Sequence, residues 1–403
     1  MKRSHVEATL AVLFAAAIIL AGGAVFHFVA TISSVHTDPR AVPSTAAATP
    51  AQGHSGAVEE ARRQARSLLV DDNLPGLSVA VALDGRIVWA EGFGWADVES
   101  RAPVTPVTKF RIGSVSIPLT AAAVGLLHER GRLDLDAPVQ RYVPAFPEKQ
   151  WAVNTRQLMG HVAGIRPPRF EHETLPTRHC TSLDEALPIF AGDPLLFRPG
   201  TEYRPSTYGW ILVSAVVEAA AGEPFLPFLH REVLEPAGME STVLDEPDGV
   251  SGRTSLYFPR AFERPDLGLQ DEAPRVDYSC SAGAGAFVST PSDLVRFGSA
   301  MLKPGLLEAE TIALLQTPLR LESGASTGYA LGWKVESVPL GGAAARMLGH
   351  RGNVVGGTTS LMTFPDLGLA IAAASNVSFA KGVAPFCEKV AKAFARPASG
   401  GVH

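Results

Sequence analysis

The chain has 403 residues, of which 46% are hydrophobic and 19% charged, so it can bury one large core and is too apolar to be disordered over most of its length. A net charge of −5 supplies no basic footprint, which sets nucleic acid aside as a partner. With no Cys-x-x-Cys, His-Glu-x-x-His, phosphate loop or dinucleotide fingerprint, neither a metal nor a nucleotide cofactor is expected.

Lys2 and Arg3 precede an apolar run from Ala8 to Ile32, interrupted only by His27 and small residues. The run is long enough to span a bilayer, whereas the apolar part of a cleaved export signal is about half as long. The expectation is a cytoplasmic n-region over 1–7 and a single-pass signal anchor over 8–32. The positive-inside bias then places the rest on the periplasmic, extracytoplasmic side of the membrane. The alternative is a cleaved export signal and a secreted protein. A mitochondrial targeting segment fits less well, because such segments are amphipathic and Arg-rich. Residues 33–56 are Pro, Ala, Thr, Ser and Gly with little apolar bulk and read as a flexible linker. A globular domain is expected over 57–395, followed by a disordered tail over 396–403.

Inside the domain, Val58 to Val70 has a helical pattern. Ser78–Leu83 and Arg86–Glu91 are strand-like runs joined at Asp84-Gly85, a two-residue type I′ hairpin signal. A helix is predicted from Pro118 to His128, with Leu119, Ala122, Ala123, Leu126 and Leu127 on a buried stripe and Gly131 as its stop. Thr358–Phe364 and Leu369–Ser375 form a second hairpin across Pro365-Asp366-Leu367-Gly368. Strands at both ends with helix-rich sequence between them predict an α+β fold, one antiparallel sheet made from both termini with an inserted all-helical region.

The segment Phe110–Thr120 reads as a nucleophile segment with its base missing. Residues three apart on a helix share a face, so in a Ser-x-x-Lys motif the amine reaches the hydroxyl without further rearrangement. Here the Ser is Ser114 and the Lys position holds Ile117, which can neither take nor give a proton. Pro118 fits only the first turn of a helix, so the hydrogen-bonded helix is expected to start at Ser116 or Ile117.

Further blocks follow in order from Gly76 to Asn376. They include Gly92-Phe93-Gly94-Trp95, Gly131-Arg132-Leu133-Asp134-Leu135-Asp136, Gly160-His161-Val162-Ala163-Gly164, Pro199-Gly200-Thr201, Ser289-Thr290-Pro291-Ser292-Asp293-Leu294 and Gly349-His350-Arg351-Gly352. Together they resemble the serine β-lactamase and penicillin-binding protein superfamily, in its class C β-lactamase, esterase and D,D-peptidase branch. Phe146-Pro147-Glu148-Lys149 and Gly164-Ile165-Arg166 are most similar to the mitochondrial serine β-lactamase-like proteins and their bacterial relatives.

The resemblance implies the same sheet-plus-helices fold and a second motif, Tyr-x-Asn, which falls on Pro205-Ser206-Thr207. Thr207 keeps a hydroxyl where the family has Asn, but Pro205 removes the phenol that shuttles the nucleophile's proton. Tyr203 and Tyr208 flank the gap and substitute only if the loop bends differently. The third motif appears as His350-Arg351-Gly352, followed by Asn353. By position the oxyanion pair is the backbone N–H groups of Ser114 and Asn353, Gly352 lets substrate approach the strand, and Arg351 puts a cation at the groove. His350 is the candidate general base for a Ser114–His350 pair. Lys109 is expected to face solvent, and His161 is given no chemistry.

Cys180, Cys280 and Cys387 allow one disulfide in an oxidising compartment without saying which. Two functions are carried forward. One is a membrane-anchored serine hydrolase acting through an acyl-Ser114 intermediate on an ester, amide or β-lactam. The other is a non-catalytic relative whose groove binds a peptide, cell-wall or acyl ligand, or which serves as a membrane scaffold. The partner in either case is a small-molecule or peptide acyl compound, and oligomeric state is left open.

Overall fold

The computed structural model describes residues 34–47, 53–169, 173, 176–246, 249–261, 263–270 and 273–395. The n-region, the anchor expected over 8–32 and the tail over 396–403 lie outside them. Among the described residues no single helix is long and apolar enough to cross a membrane.

Asp84 and Gly85 both have positive φ, as a type I′ turn requires, and they join β2 (Gly76–Leu83) to β3 (Arg86–Asp97). β4 (Lys334–Leu340), β5 (Ala343–Val354), β6 (Gly357–Phe364) and β7 (Leu369–Ser375) come from the other end of the chain. β7 lies antiparallel to β2, from Leu369 opposite Leu83 to Ser375 opposite Leu77, and this seam closes one sheet from both ends. With β1 (Ser44–Ala46) at the edge, the order is β1-β3-β2-β7-β6-β5-β4. β7 is buried throughout and β2 nearly so, which is why both read as continuous apolar runs instead of alternating ones.

Both faces are covered. α1 (Ser55–Asp71) and α5 (Val383–Phe394) pack on one, around Leu69, Phe93, Phe364 and Phe386. The other face carries the inserted helices, among them α2 (Ser116–Glu129), α3 (Thr207–Ala221) and α4 (Pro291–Ala300). α2 is buried on every side from Ser116 to Leu127, not along a stripe alone, because it runs through the middle of this larger core.

The linker expected over 33–56 is corrected over much of its length. Residues 34–47 fold onto the domain: the buried His36 donates from Nε2 to the Pro75 carbonyl at 3.0 Å, Val42 is buried, and β1 pairs with β3 from Ser44 opposite Phe93 to Ala46 opposite Glu91. The arm is held mainly by main-chain hydrogen bonds, and composition carries no signal for those.

Candidate functional site

Phe110 and Arg111 pair with Ser289 and Val288, and the Ile112 N–H donates to the Phe287 carbonyl at 3.1 Å. Gly113 then turns with φ +51°, and Gly113–Val115 form a 3-10 turn that leads into α2 at Ser116. Pro118 therefore sits in the first turn of the α-helix, where its missing N–H costs nothing. Ser114 is half-buried at this junction, where N–H groups lack helical partners and favour negative charge.

The opposing edge is β5. Val354 and Gly357 close a two-residue hairpin with β6, so the alternation of an antiparallel ladder turns the Asn353 N–H away from β6. It faces Gly113: a Cβ built on Gly113 would stand 3.2 Å from the Asn353 nitrogen. Gly352 is required for this approach, since a Cβ there would come within 1.9 Å of the Ile112 carbonyl oxygen and 3.2 Å of the Ser114 nitrogen. The two amides expected as an oxyanion pair thus lie side by side. Ser114, Thr207 and Asn353 all line one cavity of about 880 Å³, whose walls are chiefly apolar and include Ile211, Phe258, Tyr278 and Phe379.

The side chains that would handle the proton are arranged differently. Ile117 is 3% exposed and packed into the helical core. Pro205 is exposed, in the loop ahead of α3, while Ser206 caps that helix by accepting from the Gly209 N–H and donating to the Arg166 carbonyl at 2.6 Å. Tyr208 does enter the cavity wall, but its hydroxyl donates to Glu173 at 2.7 Å, and burial together with that carboxylate raises its pKa. Glu173 is itself a weak base: burial opposes its ionisation, yet the hydrogen bonds from Arg166 and Tyr208 prevail and lower its pKa to about 2.

No hydrogen bond joins His350 to Ser114 among the described residues. A carbonyl can only accept, so the contact of Nδ1 with the Arg351 oxygen at 3.0 Å puts the ring proton on Nδ1 and leaves Nε2 as an acceptor. The Tyr329 hydroxyl, 2.9 Å away, donates into that lone pair. Burial lowers the His350 pKa to about 4, with help from nearby Lys334, so the ring is neutral at pH 7. Arg351, expected at the groove, turns instead to Glu388 of α5 at 3.6 Å and Glu336 of β4 at 3.9 Å, because alternation along β5 points it at the opposite face of the sheet from Gly352. Tyr203 packs against His161 and Tyr329. His161, given no chemistry, accepts from the Ser206 N–H at 3.2 Å and anchors the loop that carries Pro205; burial lowers its pKa to about 3. Lys109 donates to the Ser251 carbonyl at 3.1 Å on the surface.

Two features were not read from the sequence. Tyr329, which occupies the His350 lone pair, has no motif of its own and comes near only through folding. The disulfide joins Cys180 to Cys280 across 100 residues and leaves Cys387 buried and free; Cys280 lines the cavity, so the bridge forms part of its wall. Among the described residues no group of His, Cys, Asp and Glu side chains is disposed to hold a metal ion.

The Beta-lactamase family profile matches residues 57–391. The mouse (Mus musculus) serine beta-lactamase-like protein LACTB, mitochondrial, is 30% identical over 420 aligned residues, which cover 80% of this chain and 75% of that one. Penicillin-binding protein 4* of Bacillus subtilis is 25% identical over 72% of this chain and 65% of its own length. Among solved structures, D-amino acid amidase from Ochrobactrum anthropi SV3, complexed with L-phenylalanine amide, superposes with a TM-score of 0.70 at 23% identity over 83% of this chain and 98% of that one. The octameric penicillin-binding protein homologue from Pyrococcus abyssi gives 0.69 at 21%, over 82% and 76%. These two likenesses concern the fold.

Proposed function

The chain belongs to the Beta-lactamase family of serine hydrolases, and from that premise we propose that its Ser114 centre is catalytically impaired and that its cavity is kept for binding an acyl or peptide ligand. One observation carries the reading. Among the described residues no side chain is hydrogen-bonded to the Ser114 hydroxyl, although the Ser114 and Asn353 amides stand ready beside it. Ile117 is aliphatic, Pro205 is exposed, and the one imidazole in the third motif has its lone pair occupied by Tyr329. General-base help is worth roughly 10²- to 10⁴-fold, so what remains is the contribution of positioning and the oxyanion donors. Any residual turnover proceeds by attack of the Ser114 oxygen on a carbonyl carbon, with its proton passing through water to the departing group, and release of that protonated group. Hydrolysis of the acyl-Ser114 ester by water then restores the Ser114 hydroxyl and frees the acid.

The apolar run over 8–32 supports an anchored protein with this domain outside the cytoplasm, and a buried disulfide fits an oxidising compartment. The mitochondrial designation belongs to the mouse relative.

Mass spectrometry after exposure to a fluorophosphonate, and separately to a penicillin, tests the proposal. Slow, partial labelling at Ser114, absent in Ser114→Ala, is the expected result. Rapid stoichiometric labelling followed by turnover would overturn it and establish an active hydrolase.

A further inference from the structure

A second depression, of about 1090 Å³, lies next to the Ser114 cavity and differs from it in character. Its wall includes Arg111, Arg253 and Arg275, together with Thr177 and Thr254. Thr177 lines both spaces. Between them stands Tyr278, a cavity residue whose ring has the Arg111 guanidinium over it at 5.2 Å and whose hydroxyl accepts from the Val355 N–H at 3.0 Å.

The charges in the lining of this basin are predominantly positive. Arg111 and Arg253 share a single carboxylate, Asp245: Arg111 donates to it from Nε at 2.6 Å, and Arg253 binds its other oxygen. Asp277 is occupied by His179 and by the Ser279 N–H, each at 2.8 Å. Arg275 is exposed and has no ion pair or hydrogen bond with any described residue. The basin's own lining carries three guanidinium groups and one carboxylate, Asp277, while Asp245 and Asp97 stand behind it on Arg253 and Ser255. In the same wall the Thr254 hydroxyl is buried without a hydrogen-bond partner, an arrangement that costs free energy unless something else satisfies it.

We propose that this basin is an oxyanion subsite, taking the phosphate or carboxylate end of an amphiphilic ligand whose apolar part enters the Ser114 cavity. It rests on the reading of that cavity as a ligand site. Arg253 and Arg275 supply the planar donor forks that suit such a group, and Arg111 contributes charge from behind Asp245.

Calorimetric titration of the full chain with decyl phosphate, decanoate and decanol tests this. Decyl phosphate or decanoate is expected to bind about tenfold more tightly than decanol at low salt, as one or two charge-assisted hydrogen bonds would give. The preference should shrink as salt rises. Whichever anion binds more tightly identifies the head group. Arg275→Glu, at an exposed position whose change leaves folding intact, should abolish most of the preference and leave decanol affinity unchanged. Equal binding of all three compounds, or a preference untouched by Arg275→Glu, would overturn the subsite and leave the cavity reading standing. Failure of every compound to bind would overturn both.

Discussion

Around Ser114 two halves of a site stand side by side. One is made of backbone: the amides of Ser114 and Asn353, brought together by the turn at Gly113 and the bare strand at Gly352. The other is made of side chains, and there Ile117 has joined the core, Pro205 faces solvent and His350 is paired with Tyr329. The main-chain half follows from the fold, so it persists for as long as the sheet and α2 do. The side-chain half follows from single residues and can be lost one substitution at a time. Replacing a desolvated ammonium by a packed aliphatic is often stabilising, which gives a physical reason for the loss at Ile117 to be retained.

Refilling the missing half would sharpen the contrast most. Ile117→Lys combined with Pro205→Tyr should raise hydrolysis of a chromogenic ester by roughly 10²- to 10⁴-fold. No gain in a double variant shown to be folded by circular dichroism would place the defect in the backbone half after all. Gly352→Ala attacks that half directly. Its methyl would meet the Ile112 carbonyl, and a loss of about 3 kcal/mol or more in denaturant unfolding is expected. Unchanged stability would show that the two segments do not abut as described.

Replacing Cys180 and Cys280 by Ser should cost about 2–4 kcal/mol, because the bridge closes a long loop in the unfolded chain. The same variant should loosen the cavity wall and weaken decanol binding.

The imidazoles offer a pH test. His350 and His161 have folded pKa values lowered to about 4 and about 3, so between those values and the usual 6.5 the unfolded chain binds more protons than the folded one. Stability should therefore hold above pH 6.5 and fall as pH drops toward 4. NMR titration of the His350 ring checks the assignment directly; a midpoint near 6.5 would break it. The smallest effect belongs to Ser114→Ala. A half-buried hydroxyl without a partner among the described residues should change stability by no more than about 0.5 kcal/mol while removing any covalent adduct.

Much of this architecture was legible in the sequence, for reasons that differ by element. The Asp84-Gly85 hairpin was readable because its backbone conformation demands those residue types. That strands from both ends share one sheet followed from the apolar runs at opposite ends of the chain and the resemblance that joined them, whereas the pairing of β2 with β7 is seen only in the fold. At the site, the family resemblance pointed to Ser114, Thr207 and Asn353, which share the cavity wall. The Tyr329–His350 hydrogen bond escaped, because it depends on how a loop folds over β5 and leaves no periodic trace. The direction of Arg351 was missed although it was accessible: strand alternation from Gly352 already sends it to the far face.

The N-terminal arm has a practical consequence. The Ala47 N–H donates to the Ala90 carbonyl at 3.0 Å and the Gly94 N–H to the Pro43 carbonyl at 2.9 Å, so the arm occupies the open border of β3. A chain cut back to residue 57, where the family match begins, would bare those groups, and an unpaired strand border is a template on which another molecule can add a strand. Solubility of a shortened protein would then be limited by self-association while its core stayed intact. Any recombinant version should accordingly begin no later than Ser34.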